Sequence, residues 1–111
     1  MKTKVTDRYT VLIDERDDAS DFAAFLERIV PAKFEHQNLI IDLDQYETLE
    51  LPDLQKILKL TTYHRSTKHS FVIVNNAISI DDVPSEMTVV PTLQEAYDIV
   101  EMEEIERDLG F

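Results

Sequence analysis

Asn38-Leu39-Ile40-Ile41-Asp42-Leu43-Asp44, continued by Gln45–Glu50 and then by Leu51-Pro52-Asp53-Leu54, is the stretch that decides the fold. Leu39, Ile40 and Ile41 are apolar on successive residues, so a strand here must be covered on both faces, as a middle strand of an α/β sheet is. After a loop without glycine, Pro52 suits the first turn of a helix, and Leu54, Ile57, Leu58 and Thr61 recur at helical spacing down to about Arg65. Where such a strand ends and a helix begins, backbone groups and the helix terminus converge, and ligands or partners collect there. The Asp44–Asp53 loop and helix start is therefore the first candidate surface.

Outward from this unit the pattern continues. Towards the N-terminus, Met1–Thr6 and Tyr9–Ile13 flank Asp7-Arg8 and read as an opening hairpin, with Tyr9, Val11 and Ile13 on one face. Asp18 or Ser20 can cap a helix over Ala19–Val30, whose buried stripe is Phe22, Phe25, Leu26, Ile29 and Val30 and which Pro31 is expected to stop. Towards the C-terminus, Phe71–Val74 is a second buried strand. Asn75–Glu86 is mixed and polar, with room for a short turn of helix near Asp82–Glu86, and Thr88-Val89-Val90 is a brief last strand. The expected fold is α/β: one domain with a small mixed four- or five-stranded sheet packed with helices.

Composition narrows the function. The chain has 111 residues, 43% hydrophobic, with no cysteine, and its longest purely apolar segment is Phe71–Val74. Thiol chemistry is thereby absent, a membrane partner is not expected, and a cytoplasmic location is the default. Twenty-three acidic residues against eleven basic ones leave a formal charge of −12, which repels nucleic-acid phosphates and either faces a basic protein partner or serves only as a soluble acidic surface. The single glycine, Gly110, leaves nothing from which to build a phosphate-cradling loop of the nucleotide-binding kind. No cofactor is expected.

The last helix carries two apolar faces. Thr92-Leu93-Gln94-Glu95 has the form of a capping box, and Leu93, Ala96, Tyr97 and Val100 share the side that should lie on the domain. Beyond Val100 that side turns charged, with Glu104 and Arg107, while Ile99, Met102, Ile105 and Leu109 form a second stripe edged by Glu101, Glu103, Glu106 and Asp108. Either the helix bends so that both stripes meet one core, or Met102, Ile105 and Leu109, flanked by Glu103 and Glu106, face a protein partner or a second copy of the chain. Gly110 is expected to end the helix as a left-handed cap, with Phe111 folding back towards Ile105.

Two further clusters invite chemistry. Asp42 and Asp44, with Asp81 and Asp82, could supply oxygen ligands to a hard cation, although so acidic a chain places carboxylates at strand ends by chance. His64, His69, Lys56, Lys59, Arg65 and Lys68 gather around the end of the second helix. Cations there stabilise the helix dipole locally, or else form a site for phosphate or an acidic partner. No catalytic constellation and no metal site is assigned.

The order strand–strand–helix–strand–helix–strand–strand–helix, with Leu39-Ile40-Ile41-Asp42-Leu43 and Val89-Val90-Pro91-Thr92-Leu93-Gln94-Glu95-Ala96, resembles the STAS domains, the anti-sigma-factor-antagonist family. The resemblance implies a non-enzymatic protein-interaction module with regulatory use. In that family a serine in an Asp-Ser pair at the start of the helix after the central strand is phosphorylated, and the charge releases the partner. Counted from Asp42, the pair falls on Glu50 and Leu51, so the usual switch residue is missing, and Thr48 is the nearest hydroxyl. The surfaces so implied are Asp44, Thr48, Glu50, Leu51 and Asp53 together with the outer stripe of the last helix.

The ending from Ala96 to Phe111 is also similar to that of short bacterial proteins labelled ribonuclease Z. That enzyme needs a His-x-His-x-Asp-His cluster for zinc, whereas the histidines here are His36, His64 and His69 in no such spacing. The resemblance then implies, as an alternative, an acidic companion or regulator of an RNA-processing nuclease. A carboxylate-dependent metal enzyme is the remaining alternative.

Overall fold

The computed structural model describes residues 1–14, 18–46, 51–77 and 83–110, without the side chains of Ala19 and Leu51. Its elements are β1 (Lys2–Val5), β2 (Thr10–Ile13), α1 (Ala19–Lys33), β3 (Leu39–Asp42), α2 (Leu51–Ser66), β4 (Phe71–Val74), β5 (Thr88–Val90) and α3 (Leu93–Asp108). The five strands lie in the order β1-β2-β3-β4-β5; β1 pairs antiparallel with β2, and the remaining pairs are parallel. The chain is thus a small mixed α/β structure, and β3 is its central strand.

The period-two pleat sorts the apolar residues to two cores. Leu12, Ile41, Ile73 and Val89 form one rung across the parallel strands, and with Leu39 and Phe71 they meet Phe22, Leu26 and Val30 of α1 and Ile57 and Leu60 of α2. On the opposite face Val11, Ile40, Val72 and Val74 meet Ala96 and Val100 of α3, with Tyr9 and Ile13 alongside. Burial on both sides is why Leu39-Ile40-Ile41 has no polar gap, each such side chain contributing on the order of 2 kcal/mol.

Several boundaries differ from the sequence reading. The opening strands are shorter than Met1–Thr6 and Tyr9–Ile13 because Thr6 closes the turn, its hydroxyl accepting from the N–H groups of Arg8 and Tyr9. Asp18, and not Ser20, caps α1 by accepting from the Asp21 N–H at 3.1 Å. Pro31 does not stop α1. Within the last turn the proline removes only the bond to the Glu27 carbonyl, and the Phe34 N–H still closes on the Val30 carbonyl at 2.9 Å. Between β4 and β5, Asp82 lies outside the described residues. The part of the expected helical turn that is described is a single turn, with the Met87 N–H on the Pro84 carbonyl at 3.0 Å.

A buried asparagine pins each end of the sheet. At the C-terminal ends, the Asn75 side chain donates to the carbonyls of Leu43 at 2.8 Å and Tyr46 at 2.9 Å. At the N-terminal ends, Asn38 Nδ2 donates to the Arg8 carbonyl at 2.9 Å and to Glu104 Oε1 at 2.6 Å. Its Oδ1 accepts from the Ser70 N–H at 2.8 Å and from Arg107 Nη2 at 3.2 Å. One amide side chain therefore joins the hairpin, β3, the approach to β4, and α3.

Because Asn38 and Ser70 are buried and Glu104 and Arg107 half-buried, Asn38→Ala is expected to cost about 3 kcal/mol, from unsatisfied groups that include charged ones. Urea unfolding of the two proteins measures this, and a loss below about 1 kcal/mol would mean that water replaces the amide.

Candidate functional site

Helix α3 is continuous from Leu93 to Asp108, so the two stripes are not brought to one core by a bend. Its cap is as expected: Thr92 Oγ1 accepts from the Glu95 N–H at 3.2 Å and donates to Glu95 Oε2 at 3.2 Å. Ala96 and Val100 are fully buried. Ile99 packs with them, half-buried against the domain, and so leaves the outer stripe to which its spacing assigned it.

The inward side of the second half of α3 is held by polar contacts. Glu103 accepts from Ser70 Oγ at 2.6 Å and from Arg65 Nη2 at 2.6 Å, Glu104 from Asn38, and Arg107 donates to Asn38 and to Ser70 Oγ at 3.3 Å. Glu103, read as an edge of the partner surface, is turned inward, with its side chain only 15% exposed. A carboxylate shared between a hydroxyl and a guanidinium is better satisfied there than on the rim. What remains outside is apolar: Met102 is 50% exposed, Ile105 54% and Leu109 66%. Glu101, Glu106 and Asp108 are exposed beside them. Gly110 ends the helix at φ 82°, as a left-handed residue, while Phe111 lies outside the described residues.

The loop surface after β3 is placed only in part. Thr48 and Glu50 lie outside the described residues, as do Asp81 and Asp82, and Leu51 begins α2. Asp53 is buried in the first turn of α2, which takes it out of the exposed partner surface; a carboxylate there suits the positive end of the helix. Asp44 is exposed, and its Oδ1 accepts from the Asn76 N–H at 3.1 Å. Asp42 Oδ1 accepts from the Asp44 N–H at 3.0 Å. Both carboxylates therefore close turns between the strand ends.

The basic cluster is rearranged relative to the sequence reading. His64 is fully buried against Phe71, their ring centroids 5.6 Å apart, with Nε2 donating to the Gln37 carbonyl at 2.6 Å. That bond fixes the tautomer and leaves Nδ1 buried without a partner. Lys56 and Lys59 do not line the cleft that forms here. Arg65, Lys68 and His69 do, and they are joined by Arg107 from α3 and, further along, by Arg8 and His36. Nothing in sequence spacing brings residues 8, 36 and 107 to residue 68, because the parallel crossovers and the return of α3 do so. The one local signal was Asn38-Leu39, a polar residue directly before a buried run.

Burial holds the His64 pKa below the ordinary histidine value, against the opposing pull of the Gln37 carbonyl; a charged His69 would lower it further, and Glu35 raises it. As pH falls, the unfolded chain takes up this proton first, near 6.5. The His64 contribution to stability is complete above that pH and is lost as pH drops below it. His64→Gln, which keeps a donor towards Gln37, is expected to narrow the stability difference between pH 7.5 and pH 5.5 in urea unfolding. An unchanged difference would assign the acid sensitivity to other groups.

No family model matches the chain, and no curated protein matches it. Among solved structures, the one titled NMR Structure of the protein TM1081 is similar in fold, with a TM-score of 0.66 and 16% sequence identity over 89% of this chain and 86% of that one. At that identity the likeness concerns the fold alone. Among the described residues no helix is long and apolar enough to cross a membrane.

Proposed function

We propose that the chain is a non-enzymatic, STAS-like protein-interaction module that works without the family's serine switch. The observation that carries this reading is the stripe of Met102, Ile105 and Leu109, exposed at helical spacing on a helix whose other side is fully engaged. Three large apolar side chains in one row gain nothing from water, and i, i+3, i+7 anchors are how a helix face enters a partner's groove. Exposed Glu101, Glu106 and Asp108 border the row, so a partner with a basic rim would be steered to it and the apolar row would supply affinity.

The order of elements is the one that the STAS resemblance implies, and Leu51 at the start of α2 offers no hydroxyl to a kinase. Binding on this reading is set by partner concentration and salt, not by phosphorylation at that position. The same acidic border supports a second reading, in which the basic partner is an RNA-processing nuclease that the chain accompanies.

Ile105→Asp is the discriminating variant. With Ile105 exposed, it is expected to change stability by no more than about 0.5 kcal/mol. In affinity capture from the native host's extract, a partner held by the wild type and lost by the folded variant supports the module. A partner set unaffected by the variant, or a stability loss of several kcal/mol, would remove the stripe as a binding surface. Sedimentation of the purified wild type distinguishes a second copy of the chain from a foreign partner.

A further inference from the structure

Lys68, His69 and Arg107 form the common wall of two open cavities. The smaller, of about 420 Å³, is lined by Arg65, Lys68, His69, Arg107 and Gly110, so among the described residues every side chain facing it is basic. The larger, of about 530 Å³, continues towards Arg8 and His36 but also carries Asp7, Glu104 and Asp108. In a chain with a formal charge of −12, a cleft with no carboxylate among the described residues of its wall is the reverse of what the composition favours.

Stabilisation of helix ends does not account for it. The ends of α2 and α3 both lie here, and each helix C-terminus is worth about half a negative charge. Arg65 is already paired with Glu103 at 2.6 Å. Lys68 and Arg107 add two full charges. The bonds of Arg107 go to the neutral oxygens of Asn38 and Ser70, and Lys68 makes no ion pair among the described residues. Glu104 and Asp108 stand on the larger cavity's wall, yet among the described residues neither Lys68 nor Arg107 is paired with a carboxylate, so both cations are free to meet a ligand.

Lys68 is also the only non-glycine residue with positive φ among those described, at 65°. A lysine gains nothing there conformationally, and glycine would relieve the strain. The chain keeps a long cation at a position that its backbone disfavours, at the mouth of this cleft.

We propose that the smaller cavity binds a small phosphorylated ligand, a phosphate monoester or diphosphate, with Lys68 as a point-charge contact and Arg107 as a forked donor. The volume falls within the few hundred cubic ångströms usual for small-molecule sites. Lysine and arginine together suit a phosphate better than a single carboxylate, since phosphate offers several acceptor oxygens to both. The site shares no residue with the Met102–Ile105–Leu109 stripe, so either proposal can fail alone.

The test is a titration of the ¹⁵N-labelled full chain with inorganic pyrophosphate, against sodium chloride at equal ionic strength. Saturable amide shifts are expected around Arg65–Ser70 and Arg107–Gly110. Lys68→Gly is expected to raise the melting temperature by relieving strain, yet to weaken pyrophosphate binding by about tenfold or more, as loss of one charged hydrogen bond does. Lys68→Arg should hold the affinity within about threefold, because it preserves the charge. Ile105→Asp should leave pyrophosphate binding unchanged. Shifts that chloride reproduces, affinity undiminished in Lys68→Gly, or tighter binding of a poly-glutamate peptide than of pyrophosphate would each overturn the proposal.

Discussion

The Asn38 side chain is the constraint on which the arrangement of this protein depends. Its amide has two donors and an acceptor with two lone pairs, and all four are used: Arg8, Glu104, Ser70 and Arg107. An apolar residue of the same size could fill the space but could not direct four groups from different parts of the chain. Because Asn38 and Ser70 are buried, each missing partner would leave a desolvated polar group, and that penalty makes the geometry specific. The Thr10 N–H on the Asn38 carbonyl and the Leu39 N–H on the Ser70 carbonyl, both at 2.8 Å, extend the same network into the sheet ladder.

This network explains how one helix can show two characters. In its first half α3 is held by apolar burial of Ala96 and Val100, helped by the stacking of Tyr97 on Tyr9 at 4.8 Å. In its second half it is held by Glu103, Glu104 and Arg107, so the apolar side chains of those turns are not required inside. Met102, Ile105 and Leu109 are left outward as a result. The inward charges and the outward apolar row thus follow from one docking geometry.

The same docking sets where positive charge gathers. By fixing Arg107 on Asn38 and Ser70, α3 brings a guanidinium beside the end of α2, where Arg65, Lys68 and His69 already stand. The cleft lies at the N-terminal ends of β3 and β4, opposite the strand-end surface at which α/β sheets most often bind ligands. The two surfaces of interest are therefore carried on different sides of one element, and a ligand in the cleft would touch α3 without covering its outer row.

The sequence by itself determined the element types and the central place of β3, because hydrophobic period reads burial directly: Leu39-Ile40-Ile41 has no polar gap, and the capping pattern at Thr92–Glu95 is local. It also marked the outer row of α3, since helical angle alone separates Met102, Ile105 and Leu109 from Ala96 and Val100. Only the tertiary structure decided that Ile99 packs inward and Glu103 turns in, that Asp53 is buried, and that α1 passes through Pro31. Residues as distant as Arg8, His36, Lys68 and Arg107 line one wall for the same reason. Those outcomes depend on which side of an element meets which neighbour, and on hydrogen bonds between groups 30 to 70 residues apart along the chain, as between Asn38 and Arg8 or Arg107. Spacing in a sequence reports the rotation of a side chain about its own element, and carries no term for the partner that waits across the gap.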